Sequence, residues 1–250
     1  MARPPTCLGL AAALLTACSA AGAPSPALRL EYMLPMRDGV RLHTLVDMPV
    51  APAGGATKLP AIIERSPYGA DFEEVLATLL AEVVGYVAVR QDFRGTKQSE
   101  GNFTCWHDAN DAYDTLEWIT QQAWSNGSVF ATGGSADGID AYAQAANPHP
   151  ALRGTVTIFA TMSSYDTFYP GGAYRNALIE GWLQQTIPTQ KQAMDTLVRA
   201  QEQPGQPWWD AVNGTLFFDK IAWPSLHWAG HYDIFARCAP ACPRPLPRVC

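Results

Sequence analysis

Long hydrophobic runs, positive charge and histidine are all scarce in these 250 residues. The apolar run Leu8 to Ala17 is too short to span a bilayer. Seventeen basic residues face 23 acidic ones, a net charge of −6, and no basic stripe is visible. That balance argues against nucleic acid as a partner. No internal repeat is apparent. Cysteine is missing where a disulfide framework would need it. Of the six, Cys7 and Cys18 fall near the N-terminus, while Cys238, Cys242 and Cys250 crowd the last thirteen residues. Cys105 stands alone between them, two residues before His107. No further ligands gather there, so a buried thiol and a surface imidazole are expected rather than a metal pair. The five histidines are His43, His107, His149, His227 and His231, and none follows His231.

The N-terminus reads as a leader over residues 1–23: Arg3, the apolar run, then small residues through Ala23. Two cleavage readings compete. Ala21-Gly22-Ala23 fits an ordinary small-residue site. Leu15-Thr16-Ala17-Cys18 resembles a bacterial lipobox, which would leave Cys18 acylated and make that lipid the one route to a membrane. Either places the protein outside the cell or in its envelope. Asn102, Asn126 and Asn213 open Asn-x-Ser/Thr sequons, which suits an exported glycoprotein. Asn126-Gly127 serves equally well as a tight turn.

What is present is a core. Hydrophobic residues make up 48% of the chain, enough for one α/β domain carrying an insertion. Leu28 to Pro35 and Val40 to Met48 read as extended runs joined by Met36-Arg37-Asp38-Gly39, a hairpin signal. Leu59 to Glu64 reads as a strand and Phe72 to Val84 as a helix. A strand over Tyr86 to Arg90 follows, then a helix over Asp108 to Gln122 with Tyr113, Leu116 and Ile119 inward. Leu152 to Phe159 and Ile221 to Ala229 are further strands. Alternating strands and helices imply a mostly parallel sheet over 28–161, with chemistry beyond the carboxyl ends of its strands. Residues 162–220 break the rhythm. They are rich in aromatics and glutamine, with helical pieces at 174–185 and 190–201, and read as a helical cap. Its aromatics either fill a small core or line a pocket. Residues 221–237 return to the sheet, and 238–250 form a Pro/Cys-rich tail.

The centre of the sequence is Val129 to Ala146. A β-prone run meets Gly133-Gly134-Ser135, and an Ala-rich helical run follows from Ile139. Strand, sharp turn with a serine at its tip, then helix is the setting of a nucleophile elbow. Gly133 and Gly138 would let strand and helix approach closely. Read alone, the segment is equally an ordinary Gly-Gly-Ser turn.

Several short segments, taken in order, resolve the choice. Met36-Arg37-Asp38-Gly39-Val40, Arg65-Ser66-Pro67-Tyr68-Gly69 and Gln91-Asp92-Phe93-Arg94-Gly95 are followed by Ser99-Glu100-Gly101 and Trp124-Ser125-Asn126-Gly127. Then come Gly133-Gly134-Ser135, Tyr169-Pro170-Gly171-Gly172 and His231-Tyr232-Asp233. The set resembles the α/β-hydrolases that include acyl esterases and Xaa-Pro dipeptidyl-peptidases, over about Tyr32 to Phe235. The resemblance implies an α/β-hydrolase fold, a small ester or peptide substrate, and no metal or organic cofactor. It implies Ser135 as the nucleophile that forms an acyl-enzyme and Asp233 as the triad acid. The oxyanion would be held by the Tyr68 hydroxyl and the backbone N–H of Ala136. Arg94 and Asp92 would brace their loop.

The family's triad order, Ser, Asp, His, requires a histidine after Asp233. The family also carries a C-terminal β domain. Neither is found here, so the resemblance implies a chain cut short or frame-shifted after Arg237, or a genuine short isoform. His231 is the nearest candidate base, disfavoured because residues so close to Asp233 in sequence point in different directions. Two functions follow: a serine hydrolase of esters or amides, or a non-catalytic protein that binds an acyl ligand on a hydrolase scaffold.

Overall fold

The computed structural model describes residues 28–49, 56–71 and 85–235. The leader, the helix expected over Phe72 to Val84, and the tail lie outside them. Seven strands form one sheet: β1 (Leu28–Pro35), β2 (Arg41–Met48), β3 (Leu59–Ser66), β4 (Val87–Asp92), β5 (Ser125–Gly134), β6 (Leu152–Ile158) and β7 (Ser225–Trp228). Their order is β1-β2-β4-β3-β5-β6-β7. The first hairpin and the β2–β4 pair are antiparallel, and β4, β3, β5, β6 and β7 run parallel.

The strand sequences account for this layout. β4 reads Val-Ala-Val-Arg-Gln-Asp and is buried throughout, while β3 is buried except at Pro60. Strands covered on both faces carry continuous apolar runs. β1 instead alternates, as suits a sheet edge with one face in water. Beneath the sheet lie α1 (Ala109–Thr120) and α2 (Ala136–Ala143). Leu116 and Ile119 of α1 and Ala141 of α2 pack on Ala61, Ile63, Val87, Val89, Val129 and Ala131. Burying each large aliphatic side chain there contributes about 1.5–3 kcal/mol. Tyr113 departs from the expected inward stripe. It is half-buried, edge-on to His149, with the Arg37 guanidinium over its ring. Its place on the inner face is taken by Asp111, Ala112 and Thr115.

Charged side chains inside the core explain that exchange. Arg65, at the end of β3, is fully buried and bonds Asp108 at 2.9 Å, Asp140 of α2 at 2.7 Å and Gln91 of β4 at 2.9 Å. Asp111 instead bonds Arg94 at 2.6 Å and 2.8 Å, and Arg94 also reaches Asp38 in the first hairpin. Buried charges persist only when partnered in this way.

After β6 the chain leaves the sheet for α3 (Ser164–Phe168), α4 (Asn176–Thr186), α5 (Lys191–Arg199) and α6 (Pro207–Asp210). Their apolar faces meet the carboxyl ends of the strands in one cluster that includes Phe93, Trp106, Ile139, Phe168, Leu183 and Trp209. Three aromatics of this segment, Phe168, Tyr169 and Trp209, are core, while most of the others are half-buried against that cluster. The final strand is shorter than the Ile221 to Ala229 run suggests, because Pro224 cannot donate to a ladder.

Candidate active site

Ser135 sits between β5 and α2 with φ 54° and ψ −121°, a region of the backbone map that side-chain-bearing residues rarely occupy. Two approaches make the turn this tight. A Cβ on Gly133 would lie 2.6 Å from the backbone carbon of Asp137, and one on Gly138 would lie 2.6 Å from the Ala160 Cβ. Both distances are below contact, so only glycine fits. The helix begins at once, at Ala136 rather than near Ile139, and all eight residues of α2 are buried. The Ser135 N–H donates to the Ile158 carbonyl at 3.0 Å, tying the tip to β6. The serine thus stands where helix N–H groups and dipole favour negative charge.

Ser135, Ala136 and Tyr68 line one pocket of about 160 Å³. Tyr68 follows β3, on the same strand-end edge. The rest of the lining is mostly apolar: Trp106, Ile139, Leu178, Ile179, Trp182, Ile234 and Phe235, with Thr167 the one further hydroxyl. No charged side chain lines it among the described residues. Leu178, Ile179 and Trp182 come from α4. Their spacing of three and four residues puts them on one helix face, a signal legible in the sequence. Trp106 had no such signal. It and Cys105 both have positive φ, 68° and 53°. Its indole N–H donates to the Ala136 carbonyl at 2.8 Å.

Asp233 lies in the turn after β7, where its Oδ1 accepts from the Phe235 N–H at 2.7 Å. Ile234 and Phe235 reach the pocket wall, so this turn borders the same cavity as Ser135. The histidines do not join them. His43 lies between Asp92 and Glu31, at 3.0 Å from each. His149 bonds Glu117, and His227 bonds the Tyr142 hydroxyl at 2.5 Å. His107 is half-buried against Trp208 rather than on the surface, and burial lowers its pKa. His231 is exposed, edge-on to Tyr232. None of these contacts reaches Ser135 or Asp233.

Asp92 accepts from the Ala70 and Gln98 N–H groups, holding the loop after Tyr68. Burial raises its pKa despite those bonds. Cys105 is buried and its thiol is pushed well up, so it is a core residue and no nucleophile.

Residues 38–241 match the model of the X-Pro dipeptidyl-peptidase (S15) family. The chain belongs to that family. It is 38% identical over 162 residues to cocaine esterase of Rhodococcus sp. (strain MB1 Bresler), covering 61% of this chain and 27% of that enzyme. The chain thus spans about a quarter of that relative's length. An aminopeptidase from a marine-sediment Thaumarchaeota archaeon superposes with a TM-score of 0.53 at 29% identity, over 63% of this chain and 30% of that one. An α-amino acid ester hydrolase superposes with a TM-score of 0.64 at 22% identity, over 83% of this chain and 43% of that one. The fold is the α/β-hydrolase fold.

Proposed function

We propose that the protein hydrolyses esters with an apolar acyl group, through an acyl-enzyme on Ser135. The observation that carries the reading is the backbone of Ser135. Its conformation costs about 1–3 kcal/mol, and strain of this kind clusters at residues held for chemistry. In this reading Ser135 Oγ attacks the carbonyl carbon. The Tyr68 hydroxyl and the Ala136 N–H take up the charge on the oxyanion, and Asp233 is the triad acid. The alcohol leaves first, and water then releases the acid.

An ester is favoured over a peptide amino terminus by the pocket lining. An ammonium group calls for a carboxylate or a ring of carbonyls to receive it, and among the described residues none of the lining side chains is acidic. The indoles and aliphatic groups of α4 suit an uncharged acyl chain.

None of the five histidines stands where it could take the Ser135 proton. The reading therefore expects slow acylation from this chain alone, with the ~10³–10⁴-fold over water that an oxyanion hole and binding retain when a triad member is missing. A second reading, favoured by the largely apolar pocket lining, is a binding protein for acyl ligands. An alkyl fluorophosphonate separates the two: mass spectrometry should find one adduct, on Ser135, absent in Ser135→Ala. Saturable binding of a long-chain acyl ester with no adduct would instead support the second reading.

A further inference from the structure

Two indoles stack in the pocket wall, Trp106 and Trp182, with ring centres 5.4 Å apart and planes inclined by 8°. Each spends its N–H on one of the two residues assigned to the oxyanion hole. Trp106 donates to the Ala136 carbonyl at 2.8 Å, and Trp182 donates to the Tyr68 hydroxyl at 3.0 Å. The first is an ordinary way to satisfy a buried indole, as Trp209 does with the Gln201 carbonyl. The second is different, because its acceptor is itself a donor.

An indole N–H can only donate, whereas a phenol has one proton and two lone pairs. The phenolic O–H prefers the ring plane, which offers it two directions. A donor occupying one of them leaves the proton the other. We infer that Trp182, from the helical segment, is a positioning residue that sets the direction of the Tyr68 O–H and thereby makes it an oxyanion donor. The inference rests on the reading of Ser135 and Tyr68 given above. Donation into the oxygen also polarises the hydroxyl, strengthening the bond it gives in turn.

Trp182 is well placed to hold that direction. Besides its stack on Trp106, it is edge-on to Phe103 at 5.8 Å and Phe168 at 6.3 Å. Three rings, two from the loop before α1 and one from α3, therefore fix the indole plane. Because Trp182 belongs to α4, the oxyanion hole is complete only while α4 is docked on the sheet edge.

The test uses the full chain and three variants: Trp182→Phe, which keeps a stacking ring and removes the N–H, Tyr68→Phe, and the pair. The chemical readout is the maximal rate of phosphonylation by an alkyl fluorophosphonate, together with its half-saturating concentration. Tyr68→Phe should slow the maximal rate about 10²–10³-fold. Trp182→Phe should slow it about 3- to 10-fold, as loss of one hydrogen bond would, with half-saturation changed less than about twofold. In the Tyr68→Phe background Trp182→Phe should add nothing. An equal effect in both backgrounds, or an effect on half-saturation alone, would mark Trp182 as packing and overturn the inference.

A second readout needs no activity. The indole N–H resonance of Trp182, identified by its loss in Trp182→Phe, should shift in Tyr68→Phe. An unmoved resonance overturns the inference. A shifted resonance in a protein that takes no phosphonate overturns the hydrolase reading instead, and with it the catalytic meaning of the bond.

Discussion

Gly138 and Ala160 touch: a Cβ on the glycine would lie 2.6 Å from the alanine Cβ and 2.8 Å from the Gly133 oxygen. The first turn of α2 therefore rests on the segment after β6 with no room for one methyl group. This contact, more than any bond to Ser135 itself, is what allows the serine turn to be so sharp.

Gly138→Ala should accordingly destabilise the protein by about 1–3 kcal/mol, the usual cost of overpacking. It should also slow phosphonylation of Ser135, because relief requires α2 to move. Thermal melts and labelling rates check this. An unchanged Tm would mean that the neighbours yield freely.

Ser135→Gly should have the opposite effect on stability. Glycine adopts φ 54° and ψ −121° without steric cost, so removing the strain should raise stability by about 1 kcal/mol after glycine's own entropic penalty. Ser135→Ala keeps the strain and should match wild type within about 0.5 kcal/mol. Neither variant should label. Urea unfolding of the three proteins decides it, and equal midpoints for wild type and Ser135→Gly would contradict the strain argument.

Stability should also depend on pH through Asp140. Burial, opposed by Arg65 and aided by Asp108, pushes its carboxyl up to about 7. The folded state therefore keeps a proton that the unfolded chain loses near pH 4. The resulting stabilisation is fully present below pH 4, declines by up to about 1.4 kcal/mol per pH unit as pH rises, and is gone above about 7. Asp140→Asn should flatten that decline. Urea midpoints at pH 4, 5.5, 7 and 8 measure it, and parallel profiles would sink the assignment.

Arg65→Ala should be the most damaging of these changes, at about 3–5 kcal/mol, because it leaves the buried Asp108 carboxylate without its cation and the Asp140 carboxyl without its donor. Arg65→Met combined with Asp140→Asn should recover part of that loss. Chemical denaturation of single and double variants tests the coupling, and strictly additive losses would contradict it.

Local chemistry was legible along the chain. The hairpin at Asp38-Gly39, the strands of the parallel sheet and the turn at Gly133-Gly134-Ser135 each declare themselves within a few residues, because each answers to short-range backbone sterics and periodicity. Tyr113 was misplaced for a reason that lies far off in sequence. Arg94 draws Asp111 to the inner side of α1, and the buried Arg65 draws Asp108 just before it, and no count of apolar spacings reveals that demand.

The sequence by itself determined that Ser135 tops a glycine-hemmed turn between strand and helix, since only small residues tolerate that geometry. Tertiary structure alone decided what surrounds the serine. Trp182 meets Tyr68 across 114 residues, and His43, His149 and His227 are each drawn to other partners. Such contacts depend on how α4 docks against the strand ends, and docking follows from the summed burial of many side chains rather than from any one motif.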